Sequence, residues 1–421
     1  SLSRTPHGAA MSNSSNWCQP FNSTLAPAKF WHSDCAKETS TKSGAYGAHR
    51  DPLSPRAVSQ RAGTGPSKME SNLRDVRAPL TNLHPSMRRG WQPLCRQSDV
   101  VSTPTAFTLL GQQWVTWRTT DNVVKVFENR CPHRFAPLSL GTCEGDGVRC
   151  GYHGWLFDAD GSCIEIPALG EGAPLPSRAQ LRAPAAVALD HGMVFIAVDH
   201  PITDVPTLRA AGDATFQAGD LPVVTTRASA ALLADNFLDM AHFPFVHVGT
   251  FGADEVREVP HYSVERSEFG FSASYEHEFA NREDPAVASG ERPLVQRRRL
   301  TYRYSAPFHL ELEIEFLDAG GTNVIGFFLA PEDANTVRIY STLWRNDLDG
   351  SLERMQEAID FEMRVIAEDL IIQSRYERLE LPLDVTAEIH TRADKTTLEF
   401  RRVLLDFVEK SDAEAGRAGE I

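Results

Sequence analysis

The sequence contains no run of about 18 uncharged apolar residues, so it offers no membrane-spanning helix. It is short of positive charge: 42 Lys+Arg face 56 Asp+Glu, a formal charge of −14. A surface of that sign repels phosphate backbones and anionic lipid, which argues against nucleic acid or a membrane as partner. Cysteine is scarce and odd in number, seven in 421 residues. That is not the dense, even set of a small secreted scaffold, and a reduced compartment or metal ligation accounts for it better than disulfides do. A cytoplasmic protein is the expectation. The sequence also lacks a Gly-rich loop for flavin or nicotinamide phosphates. What it does have is ordinary globular chemistry, 42% hydrophobic and 23% charged, with length for two or three domains.

Residues 1–68 stand apart. They carry eight Lys/Arg against three acids, so the +5 there leaves −19 on residues 69–421. They are rich in Ser, Thr, Gly and Pro without an apolar period, and a disordered extension is expected. The chain begins Ser-Leu, and Met69 opens a segment of normal appearance. An over-extended reading frame, a flexible tail and a targeting leader are the readings open for this part.

Short β-rich runs follow, with Val124–Phe127 and Met193–Val198 as strands and turns at Asp160-Gly161 and Asp190-His191-Gly192. An all-β domain is expected over residues 89–200. Residues 203–410 are mixed. Phe308, Leu310, Leu312, Ile314 and Phe316 alternate with polar residues, the mark of a half-buried antiparallel strand. Further strands are predicted over Val324–Leu329 and Val337–Trp344, and a helix over Ser351–Leu379 with Leu352, Met355, Ile359, Met363, Ile366 and Leu370 at helical spacing. A sheet with a long C-terminal helix makes the fold class α+β.

The first chemical constellation is Cys131-Pro132-His133, sixteen residues, then Cys150-Gly151-Tyr152-His153. Two thiolates and two imidazoles on two loops can hold a single zinc. The better fit is a [2Fe–2S] cluster with both cysteines on one iron and both histidines on the other. Gly151 and Gly154 allow close backbone approach, and Tyr152 and Trp155 can shield the cluster from water. These halves, Asn129–Arg134 and Cys150–Trp155, resemble the Rieske motif. Its respiratory branch carries two more cysteines, where this sequence has Ala136 and Tyr152, so the resemblance is to the oxygenase-type Rieske domain. Cys18, Cys35, Cys95, Cys143 and Cys163 have no assigned role.

The second constellation is Asp235–His247. On one helix Asn236, Asp239 and His242 would share a face, Pro244 would bend or end that helix, and His247 could swing back toward His242. Two histidines and a carboxylate on Fe(II) leave open positions for O2 and substrate. Asp360, Glu368 and Asp369 on the later helix can complete the set. Asp369 has Val365, Ile366 and Ile372 beside it, whereas Asp360 lies among Gln356, Glu357 and Arg364, so Asp369 is chosen.

Asp-x-x-His-x4-His resembles the motif of Rieske non-haem iron aromatic-ring oxygenases, and residues 89–410 resemble their oxygenase (alpha-type) subunit. Glu388–Lys395 with Phe400-Arg401-Arg402 resembles the vanillate-demethylase and phthalate-oxygenase-like branch. The resemblance implies a mononuclear iron catalytic domain with a curved antiparallel sheet. It implies hydroxylation or oxidative demethylation of an aromatic or other apolar ring substrate by O2, fed by a separate reductase, with or without a ferredoxin. It implies a trimer in which Asp239 joins His153, or His133, of a neighbouring subunit to His242. Asn236 is a candidate hydrogen-bonding neighbour of the iron site. Phe327, Phe328, Tyr340 and Trp344 are candidate pocket walls, although plain core is the commoner role for such residues. The alternatives are a Rieske-type electron-transfer protein without oxygenase activity and a zinc-bearing scaffold.

Overall fold

Period-2 runs become strands in the computed structural model, which describes residues 78–252 and 256–418. The expectations for residues 1–68, with Cys18 and Cys35, lie outside the described residues. Ten short strands come first, all antiparallel in three small sheets. β1 (Gln92–Arg96), β10 (Met193–Ala197) and β9 (Ala186–Asp190) form one. β2 (Thr105–Leu109), β3 (Gln112–Arg118) and β4 (Val124–Glu128) form the second. β5 (Thr142–Glu144), β6 (Gly147–Arg149), β7 (Leu156–Phe157) and β8 (Cys163–Glu165) form the third.

The later part is built on one eight-stranded antiparallel sheet. β11 (Gln217–Asp220) and β12 (Val224–Arg227) both pair with β18 (Thr336–Arg345). The order then runs β17 (Thr322–Pro331), β16 (His309–Phe316), β15 (Val295–Ser305), β14 (Gly270–Ala280) and β13 (Ser263–Ser267). The helices packed with it include α1 (Ala230–Leu238), α2 (Phe243–Val246), α3 (Leu352–Gln373) and α4 (Lys395–Ala418), besides a single turn over Pro285–Ala288. The architecture is α+β. Among the described residues no helix is long and apolar enough to cross a membrane.

Strand alternation gives the large sheet two uses. Leu300, Tyr302, Leu312, Ile314, Ile325 and Phe327 point to the face covered by α1, α3 and α4. Val324, Phe328, Tyr340 and Trp344 point to the other face, where they pack on Trp91, Leu94 and Phe195 of the first part. The polar groups there are satisfied as well. The Tyr340 hydroxyl donates to the Leu94 carbonyl at 3.1 Å, and the Arg96 guanidinium to Ser341 O at 2.8 Å and Asp220 at 2.6 Å. The small-sheet module is therefore clamped to the back of the sheet through both packing and hydrogen bonds.

Three local expectations change. α3 ends at Gln373, six residues before Leu379. Leu381 is taken into a two-way backbone pairing with Leu80 at 2.8 and 2.9 Å, and Arg227 donates to Tyr376 O at 2.8 Å, so the chain leaves the helical path. Leu352, assigned to the apolar face, is 81% exposed at the first turn. The sequence reading also overlooked α4, although Phe400, Val403, Leu404, Phe407 and Val408 carry the helical period and are all fully buried.

Candidate metal centres

The first centre is made by two hairpin-like loops at the ends of short strands. Cys131 N donates to Ala136 O at 2.9 Å, and Cys150 N to Trp155 O at 2.8 Å, so each loop closes just beyond its cysteine. A Cβ on Gly151 would lie 2.5 Å from Leu140 O, which explains the glycine where the loops meet. Cys131 and Cys150 are buried, and the His133 and His153 rings lie 4.6 Å apart. Trp155 stacks on His133 at 4.5 Å, and the Tyr152 ring lies tilted against His153 at 3.8 Å. His153 is exposed at the tip, with Tyr152 66% and Phe135 61% exposed around it.

This donor set fits a [2Fe–2S] cluster. Burial pushes the Cys131 thiol up to about 12, with Cys150 adding to the rise against backbone N–H bonds from His133 and Arg134. A metal must therefore take the thiol protons' place. Burial, His153 and Arg134 lower the pKa of His133, which keeps its ring neutral as a ligand must be, and its Nδ1 is buried without a partner. Among the described residues, the metal-type donors converging within 4.8 Å are His242, His247 and Asp369. Cys131 interacts with Cys150, and the His133 ring faces that of His153, so a thiol pair stands beside an imidazole pair, the division that two irons use. Cys95 and Cys163 are buried free thiols, and Cys143 is a half-buried one.

The second centre departs from the single helix drawn from the sequence. α1 stops at Leu238, and Asp239 is extended (φ −82, ψ 136). The Asp239 carboxylate accepts Ala241 N–H at 2.9 Å, a local turn that outcompetes another helical turn. Thr396 of α4 meanwhile donates to Leu238 O at 2.8 Å. Pro244 therefore opens the short helix α2 rather than ending α1, and His242 caps it. Asn236, Asp239 and His242 do not share one helical face, yet the turn brings His242 and His247 together.

Their Nε2 atoms lie 3.1 Å apart, and Asp369 Oδ1 of α3 lies 3.5 Å from His242 Nε2 and 3.3 Å from His247 Nε2. Donors held at right angles by bonds of about 2.1 Å would be about 3 Å apart, so the triangle has the size of one face of a metal's coordination shell. Each outer ring nitrogen has its own acid. His242 Nδ1 meets Asp239 at 3.1 Å and His247 Nδ1 meets Glu368 at 2.8 Å. With Nδ1–H donated outward, both Nε2 lone pairs face the centre. Asp369 Oδ1 is buried without a hydrogen-bond partner, so a cation is what this corner lacks.

The electrostatics agree. Burial opposes protonation of His247, but Asp369 and Glu368 outweigh it and raise its pKa. Burial likewise works against ionised Asp239, but bonds from His242 and Ala241 hold its carboxyl below the usual range. Asn236 accepts from Gln373 of α3 at 2.7 Å and lines a cavity beside the triad. Asp360 is on the solvent side, bonded to Gln356 at 2.8 Å.

The sequence reading missed the support of Glu368, which it weighed only as a ligand, and of Thr250, which donates to Glu368 at 2.8 Å. Nothing in the order of residues says that Glu368 faces a histidine 121 positions earlier. Arg401 joins Glu388 at 2.6 Å and Asp235 at 3.1 Å, so the C-terminal run to which no chemistry was assigned anchors the helix that leads into the site.

A cavity of about 110 Å³ opens beside the triad, several times the space one water needs. Leu300, Leu312, Ile314, Ile325, Phe327 and Ile366 give it apolar walls. Of the four aromatic candidates only Phe327 lines it. Phe328, Tyr340 and Trp344 are one strand position out of phase and belong to the core behind the sheet.

Known proteins match these regions. Residues 90–183 match the Rieske [2Fe-2S] domain, and residues 226–410 the vanillate O-demethylase oxygenase C-terminal domain. Methylxanthine N1-demethylase NdmA of Pseudomonas putida is 28% identical over 332 residues, 77% of this chain and 90% of that protein. Its structure with caffeine superposes with a TM-score of 0.66 at 27% identity, covering 76% and 91% of the two chains. Dicamba monooxygenase bound to dicamba shares the fold, with a TM-score of 0.65 at 20% identity, covering 79% of this chain and all of that one.

Proposed function

Because this chain is a Rieske-type oxygenase subunit, a Rieske [2Fe-2S] domain joined to a vanillate O-demethylase-type catalytic domain, we propose that it hydroxylates or oxidatively demethylates an aromatic or other apolar ring compound beside His242, His247 and Asp369. The observation that carries this reading is the convergence of those three donors at the mouth of an apolar cavity. A pure electron carrier has no use for either feature.

In this reading Cys131, Cys150, His133 and His153 hold the cluster, and His242, His247 and Asp369 hold the iron. When bound, the cluster supplies electrons singly and the ferrous ion activates O2. The chain's own residues do the rest. Asp239 and Glu368 fix the ring tautomers, Asn236 braces α1 against α3, and the apolar walls orient the substrate and keep water away. The electrons come from NAD(P)H through a separate reductase, with or without a ferredoxin. A cytoplasmic setting suits the free thiols of Cys95, Cys143 and Cys163.

The working form is a homotrimer, with His153 of one copy seated against Asp239 of the next. The exposed loop tip supports this. So does the hollow beside Asp239, lined by Leu232, Tyr376, Ile389 and His390. Asp239 is 30% exposed there, and its carboxylate can accept a second imidazole N–H.

The relative named as an N1-demethylase favours demethylation. For an N-methyl substrate, R–CH3 with O2, two electrons and two protons gives R–CH2OH and water, and the carbinol then releases formaldehyde and R–H. The test couples the holoprotein to a competent reductase and screens methoxy-aromatics, N-methyl heterocycles and unsubstituted rings for O2 uptake and formaldehyde. Uptake coupled to one product class supports the proposal. A protein that passes electrons to cytochrome c yet consumes no O2 with any ring would be a carrier.

A further inference from the structure

The end of the cavity away from the triad has a different character from its walls. Glu362 and Asp369 both project from α3 into the cavity and are seven residues apart, two turns or about 10 Å along the helix. That length accommodates a flat ring system between them. The slot has Leu312, Ile314 and Ile325 of the sheet on one side and Phe361, Val365 and Ile366 of α3 on the other.

At the far end Asn323 of β17 is 1% exposed, and its Nδ2 donates to Glu362 Oε1 at 3.3 Å. Its Oδ1 is buried and accepts from nothing. A buried acceptor without a donor is destabilising and is rarely kept without a use. The cations nearby are already engaged, one by acids and one by rings. Arg345 pairs with Asp347 at 2.8 Å and lies 3.8 Å from Glu283. Arg298 donates to His277 at 2.8 Å, and its guanidinium lies over the rings of Phe251 and Phe279. What Asn323 Oδ1 lacks is a hydrogen-bond donor, which an acceptor-only carboxylate does not bring.

We propose that Asn323 and Glu362 form a recognition site for a neutral donor–acceptor edge of the substrate, an N–H or O–H accepted by Asn323 Oδ1 beside an oxygen that takes a hydrogen bond from the Glu362 carboxyl. This rests on the reading of the cavity as the substrate pocket and narrows the substrate class to ring lactams and phenols. Four groups bear on Glu362: Glu283 after β14, Arg298 on β15, Asn323 on β17 and Arg345 on β18. Burial and then Glu283 push its carboxyl up to about 7 against Arg345, Asn323 and Arg298, so near neutrality it can still donate.

The test measures binding to the oxygen-free holoprotein without reductase, by calorimetry, with 2-quinolone, N-methyl-2-quinolone, 2-naphthol and 2-naphthoate as probes. The lactam N–H or the naphthol O–H should bind roughly tenfold or more tighter than N-methyl-2-quinolone at pH 6. Asn323→Leu should erase that ratio. Wild-type affinity for both lactams should fall between pH 6 and pH 8 as Glu362 ionises, whereas Glu362→Gln should hold its affinity at both. Equal affinity for the lactam and its N-methyl analogue, or tightest binding of 2-naphthoate, would overturn the proposal. The unmodified protein decides the question even where a variant fails to fold. Turnover is scored separately. A preference without O2 uptake once reductase is supplied would sink the oxygenase reading and leave the recognition site standing. Uptake without preference would do the reverse.

Discussion

The two metal-binding regions solve one problem, holding donors ready for a cation, by different means. The cluster loops place Cys131, His133, Cys150 and His153 by backbone hydrogen bonds within each loop, and expose the histidine end. The triad draws His242 and His247 from one turn and Asp369 from a distant helix, and fixes both rings with carboxylates. A site set by loop backbone is compact in sequence and tolerates changes around it. A site set by side-chain partners depends on residues far away in sequence, such as Glu368 and Arg401.

Predictions that would break this contrast begin with the largest. Asp369→Ala should reduce product formation on the order of 10³-fold or more while the visible spectrum of the cluster stays unchanged. Full turnover in that variant would remove Asp369 from the ligand set. Asp239→Asn should keep both centres but slow cluster oxidation in rapid mixing with substrate and O2 by roughly 100-fold. Normal rates would leave Asp239 as a local turn residue only.

Glu368→Gln sharpens the comparison more gently. Dialysis against a chelator should show iron affinity at the triad about tenfold weaker, with acid-labile sulfide unaffected. Equal losses from both centres would mean that the regions are not independent. The smallest effect concerns pH. Between the ordinary value of 4.5 and about 7, native Glu362 keeps a proton that the unfolded chain has released. Stability should therefore fall as pH rises through that window, with the full loss present above it. Thermal melts at pH 5 and pH 8 should differ by on the order of several °C more in the wild type than in Glu362→Gln. A parallel pair of melting curves would contradict the raised carboxyl.

The same contrast explains what could be read in advance. The candidate cluster donors are legible because their spacing in the sequence is what marks them out. The strands of the large sheet are legible from alternation, as in Phe308–Phe316. The turn at Asp239 was not, because an Asp at that position serves a helix and a local turn equally well until Leu238 O and Ala241 N are seen to be engaged. Phe328, Tyr340 and Trp344 take the core role that is the commoner one for such residues, but Phe327 could not be told from them in advance, because aromatic identity does not tell one face of a strand from the other when both are buried. Glu368 was underrated for a similar reason, since its partner His247 lies on another element.

Iron and acid-labile sulfide, counted per chain in protein purified without air, test the central claim most directly. Two separate centres predict about three irons and two sulfides in the wild type, and about two of each in Asp369→Ala. Two irons in both proteins, or one zinc and no sulfide, would contradict it.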